Sequence, residues 1–79
     1  MTDGLSLKIK SVAASIRKQR EEKNYTQEYL AAKLKISQNA YSKIELGYTK
    51  ITLERLFQIA DILETNITTL IGVGKSEAA

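Results

Sequence analysis

The sequence predicts an all-α fold, a compact bundle of five short helices, on three observations. The 79 residues include no proline and no cysteine, so nothing interrupts helical hydrogen bonding and no disulfide framework stands in for a core. Apolar residues recur at intervals of three and four. Three hydroxyl residues, Thr26, Ser37 and Thr52, sit where a helix start needs a side chain to accept a free backbone N–H. Each is bracketed by an apolar or aromatic pair: Tyr25 with Leu30, Ile36 with Tyr41, and Ile51 with Leu56. That is the hydrophobic staple, repeated three times in register. A chain of this length makes one domain with a modest core.

The first helix is expected from about Leu7 to Lys23, with Ile9, Val12, Ala13 and Ile16 on its inner face. Asp3 or Ser6 could cap it, and residues 1–6 are expected to form a flexible N-terminus. Asn24 can take the left-handed conformation that closes it. The staples place further helices over residues 27–34, 38–46 and 53–63. The last of these is apolar over a wide arc (Leu53, Leu56, Phe57, Ile59, Ala60, Ile62, Leu63) and is expected in the middle of the bundle. Asn66 could cap a fifth helix near 67–71, with Gly72 ending it. The domain thus spans 7–72, and residues 73–79, with no apolar anchor, are expected to be a flexible tail.

The stretch from Thr26 to Gly47 holds the chemistry. Leu30, Ala31, Leu34, Ile36, Tyr41 and Ile44 fall where two helices crossing steeply would bury them. Ser37, Gln38, Asn39, Ser42 and Lys43 are left pointing outward, a set of hydrogen-bonding groups without an acid. Gln38 and Asn39 can pair bidentately with an adenine edge, Lys43 can donate to guanine, and Ser42 can bond to either. Glu28 and Glu54 occupy the first turns of their helices, but the turn Gln38-Asn39-Ala40 has no acid. Its amides and dipole stay free for an external anion, as they do at Gln27. The loop Tyr48-Thr49-Lys50-Ile51 offers amides, hydroxyls and a cation to a phosphate.

Charge agrees with a nucleic-acid partner. Residues 8–50 hold ten lysines and arginines against four glutamates, whereas residues 51–79 hold two basic and four acidic groups. Without histidine or cysteine, zinc is set aside, and no general base or activated nucleophile is in sight, so an enzyme is not expected. No cofactor, metal or small-molecule effector is called for. The polar N-terminus does not read as a signal peptide and no apolar run would span a bilayer, which makes the cytoplasm the expected location. Arg20 and Glu45 invite an ion pair fixing the first helix against the third; an exposed pair would stabilise little. Of the four tyrosines, Tyr25 and Tyr41 read as staple and core, Tyr48 is the best placed for a backbone contact, and the pattern does not assign Tyr29.

The pattern RxxREEKxYTQEYLAxKLxISQNAYSKIExG followed by ITLERLxxIAxxL resembles the phage repressor and Cro type of helix-turn-helix, the XRE family. The resemblance covers about residues 9–71 and implies a lambda-repressor-like five-helix domain. It implies sequence-specific binding of double-stranded operator DNA, as a homodimeric transcriptional regulator and in the first instance a repressor. Carried over by position, it makes Gln38, Asn39, Ser42 and Lys43 the base readers. Arg20, Gln27, Ser37, Tyr48, Thr49 and Lys50 become backbone contacts, Gln27 also steadies Gln38, and Arg20–Glu45 becomes the internal bridge. Two positions depart from the family. Lys35 stands where glycine is usual in the turn, so it should adopt a left-handed conformation at some cost. Gln19 stands where an apolar residue is frequent, so the first helix should pack more loosely there. Ile67, Leu70 and Ile71, with the end of the fourth helix, form the candidate dimer patch, or else belong to the core. The rival reading is a protein-binding module, an antitoxin-like partner using the same fold.

Overall fold

Three hydroxyl caps set the register of the chain. Thr26, Ser37 and Thr52 accept the backbone N–H of Tyr29, Ala40 and Arg55, each at 3.0 Å. A computed structural model describes residues 4–72, in which these caps open α2 (Gln27–Leu34), α3 (Gln38–Glu45) and α4 (Leu53–Leu63). They are preceded by α1 (Gly4–Glu22) and followed by α5 (Ile67–Ile71). The all-α bundle of five helices expected from the sequence is the one observed among the described residues. Among the described residues, no helix is long and apolar enough to cross a membrane.

Helix boundaries differ from expectation where no cap fixes them. α1 begins at Gly4, not near Leu7, so Ser6 lies inside the helix and residues 4–6 belong to it. Asp3, the remainder of the expected N-terminal arm and the expected tail 73–79 lie outside the described residues. Leu46 is the C-cap of α3 and not its last helical residue. Asn66 stands at the N-cap of α5 with extended backbone, yet its side chain makes no cap bond. That short helix is held by packing.

The core joins all five helices. Ile16, Leu30, Tyr41, Ile59, Leu63 and Leu70 are fully buried, each contributing about 1.5–3 kcal/mol. α1 packs on α3, α4 and α5, and α2 packs on α3 and α4. All three staple pairs lie in or against this core. α4 is central as expected, but its buried face is narrower than its composition suggested. Ile59, Ala60 and Leu63 are buried, whereas Leu53 and Phe57 are 66% and 50% exposed. Those two lie one turn apart, outside the arc that α1, α2 and α5 cover. Leu70 is a core residue, which removes it from the candidate dimer patch; Ile67 is half-buried and Ile71 exposed.

Turns complete the frame. Asn24 and Lys35 both take left-handed backbone with φ of 62°, as expected of them, and Glu64 does so with φ of 55°. Gly47 has φ of 78°, and a Cβ built there would lie 2.9 Å from Cγ of Lys10. Glycine alone lets the end of α3 lie this close to α1. Lys35→Gly should relieve the strain in the α2–α3 turn and stabilise the fold by about 1 kcal/mol. Urea unfolding measures this; an unchanged midpoint would show that the turn carries no strain.

Candidate nucleic-acid interface

The angle of α3 is fixed by one carboxylate. Glu45, on the inner face of α3, is the one buried charged residue among those described. Arg20 of α1 donates to it twice, from Nε to Oε2 at 2.7 Å and from Nη2 to Oε1 at 3.1 Å. Gln27 of α2 donates from Nε2 to Oε1 at 3.0 Å, and the Tyr41 hydroxyl donates to Oε2 at 2.5 Å. The remaining arm of Arg20 donates from Nη1 to the Tyr25 carbonyl at 2.9 Å. Three helices are therefore tied to one residue by charge-assisted bonds.

The electrostatics follow from that arrangement. Burial alone would push the Glu45 carboxyl up, but the bonds from Arg20, Tyr41 and Gln27 outweigh it and hold the group below its ordinary value. Arg20 is raised, chiefly by its bond to Glu45. Burial, and then the bond to Glu45, push the Tyr41 hydroxyl far above its usual range. The sequence-based expectation of an exposed, weakly stabilising pair is corrected here: the side chains of Arg20 and Glu45 are only 11% and 2% exposed. The same geometry commits Nε and Nη2 of Arg20 to Glu45 and Nη1 to the Tyr25 carbonyl. It also turns the Gln27 amide nitrogen towards Glu45 and not towards Gln38, because a buried carboxylate is the stronger acceptor.

With Tyr41, Ile44 and Glu45 buried, the opposite side of α3 is open. Gln38, Asn39 and Lys43 are exposed and Ser42 is half-buried, so all four sequence-predicted readers share the outer face. No acid occupies the first turn of α3, in contrast to Glu28 on α2 and Glu54 on α4. The Ser37 hydroxyl serves as the cap, and its own O–H remains able to donate outward. After α3, Tyr48 is 73% exposed, and Thr49 and Lys50 are exposed beside it in sequence. Asn39, Lys43, Thr49 and Lys50 converge on one open cleft between α3 and the start of α4. Arg55 lines the same cleft, and sequence reasoning passed over it. The available signal was a cation in the first turn of α4, where the helix dipole disfavours one. Tyr29, left open by the sequence, lies on the surface of α2, its ring centroid 4.6 Å from that of Tyr25 and 5.7 Å from Lys33 Nζ.

Comparison with known proteins agrees with this geometry. The family model described as helix-turn-helix matches residues 16–70. The HTH-type transcriptional regulator AnsR of Bacillus subtilis (strain 168) is 34% identical over 58 residues, covering 73% of this chain and 50% of that protein. The chain therefore spans about half the length of the curated relative it matches.

Proposed function

The chain belongs to the XRE-type helix-turn-helix family, and from that premise we propose that it is a transcriptional regulator, in the first instance a repressor, that binds double-stranded DNA in a sequence-specific way. α3 enters the major groove with Gln38, Asn39, Ser42 and Lys43 against base edges. Tyr48, Thr49, Lys50 and the Ser37 hydroxyl hold the phosphates that set its register. The observation that carries this reading is a helix with an acid-free outer face, mounted rigidly through Glu45 on its inner face. Preorganisation of that kind lowers the cost of ordering side chains on binding.

The protein acts as a homodimer on a palindrome, its two α3 helices roughly 34 Å apart, one turn of the duplex. Ile67 and Ile71 remain the candidates for the contact between copies. Bound at a promoter, such a dimer represses by occluding polymerase. Selection of bound duplexes from a random pool tests the whole reading: a recovered consensus gives the base preference, and its palindromy and spacing give the dimer. Recovery of no consensus overturns it.

Two substitutions separate reading from gripping. Gln38→Ala should cost about 1–3 kcal/mol on the selected site and little on random duplex. Lys50→Ala should weaken both alike and flatten the dependence on salt. Equal loss on all sequences for Gln38→Ala would remove it from the base readers.

A further inference from the structure

Resting on the DNA-binding reading above, we infer that the cleft between α3 and the start of α4 seats a backbone phosphate of the duplex, with Arg55 gripping it and Gln58 positioning Arg55. Three cations, Lys43, Lys50 and Arg55, line this cleft, and no carboxylate does. Asn39 and Lys43, on the outer face of α3, form its other wall, so the cleft opens on the side that meets DNA.

Arg55 has no structural reason to be cationic. It lies in the first turn of α4, where the aligned peptide dipoles repel positive charge. Arg17, Arg20 and Lys23 each have a carboxylate partner, in Glu21, Glu45 and Glu64. Arg55 has none among the described residues: its chain neighbour Glu54 shares a shallow depression with Arg55 and Gln58 but makes no ion pair with the guanidinium, whose side-chain bond runs to Gln58. What Arg55 does have is a neutral tether. Its Nη1 donates to Oε1 of Gln58, one turn further along α4, at 3.0 Å. A neutral acceptor fixes the guanidinium without neutralising it. Nε and Nη2 are left to meet phosphate oxygens in the planar fork that suits them, and the side chain loses less rotamer freedom on binding.

The test is the salt dependence of binding to a fluorescent random-sequence duplex, followed by anisotropy. Arg55→Gln is expected to lower affinity about tenfold and to reduce the slope of log K against log salt by about 0.9, the value for one phosphate contact. Arg55→Lys should keep the slope while losing part of the affinity. Gln58→Leu should do the same, since it frees the arginine without discharging it. Arg17→Gln removes the same charge from an exposed pair on α1 that does not line the cleft, and should leave the slope unchanged. A wild-type slope for Arg55→Gln overturns the inference, and so does an equal loss for Arg17→Gln, which would reduce the effect to net charge. If Lys50→Ala lowers the slope and Arg55→Gln does not, the inference alone fails. If the unaltered chain binds no duplex at any salt, the DNA-binding reading falls with it.

Discussion

Glu45→Ala is expected to destabilise the protein by about 3–5 kcal/mol, the cost of leaving a buried charge without its partner. Arg20 would keep only the Tyr25 carbonyl, and the Tyr41 hydroxyl and Gln27 amide would lose their acceptor. Domains of this size are stable by about 5–15 kcal/mol, so the variant should sit near its unfolding threshold at 37 °C, an effect read directly by urea or thermal unfolding. The pH dependence has a definite sign. Because the folded carboxyl titrates below its ordinary value of 4.5, its contribution is fully present above that pH. It is lost as pH falls through the lower, folded value. The wild type should therefore lose stability on acidification below about pH 4.5, and Glu45→Gln should lack this step. A Glu45→Ala variant within about 1 kcal/mol of the wild type would show that the bonds to this carboxylate do no more than offset its desolvation.

The same residue shows what the sequence could and could not reveal. The caps at Thr26, Ser37 and Thr52 were legible because a cap and its staple lie within six residues of one another. The outward face of α3 was legible for a similar reason: once Tyr41 and Ile44 are inside, helical geometry sends Gln38, Asn39, Ser42 and Lys43 out. The pairing of Arg20 with Glu45 could be guessed, but not its burial. That depends on Tyr41, Gln27 and Tyr25 closing around it from three directions, a tertiary fact with no local signature.

Other misreadings have equally physical causes. The apolar arc of α4 reports its hydropathy and not how many neighbours arrive to cover it, so Leu53 and Phe57 remain exposed. Glu64 takes left-handed backbone although neither its type nor its neighbours announce it. The N–H groups of Glu64 and Thr65 bond the Asp61 and Ala60 carbonyls, the closure of α4 that a left-handed residue permits. Arg55 lies outside α3 and its loop, and only the fold brings α4 round to complete the cleft.

Leu70→Ala should cost about 2–5 kcal/mol, and the way it does so decides what α5 is for. Leu70 is fully buried on a helix of five residues that lacks a side-chain cap and rests on α1 and α4. So short a helix has little stability of its own, and burial of this side chain is its main attachment. Truncating it should loosen α5 from α1 and open the core beside Ile16, Ile59 and Leu63. A core residue lowers the melting temperature equally at every protein concentration. A contact between copies makes the loss depend on concentration, because association then contributes to stability by mass action. Thermal melts of wild type and Leu70→Ala over a wide dilution series separate the two. A deficit constant across the series places Leu70 within the monomer and confines any contact between copies on α5 to exposed side chains such as Ile71. A deficit that disappears on dilution would instead make α5 an interface element.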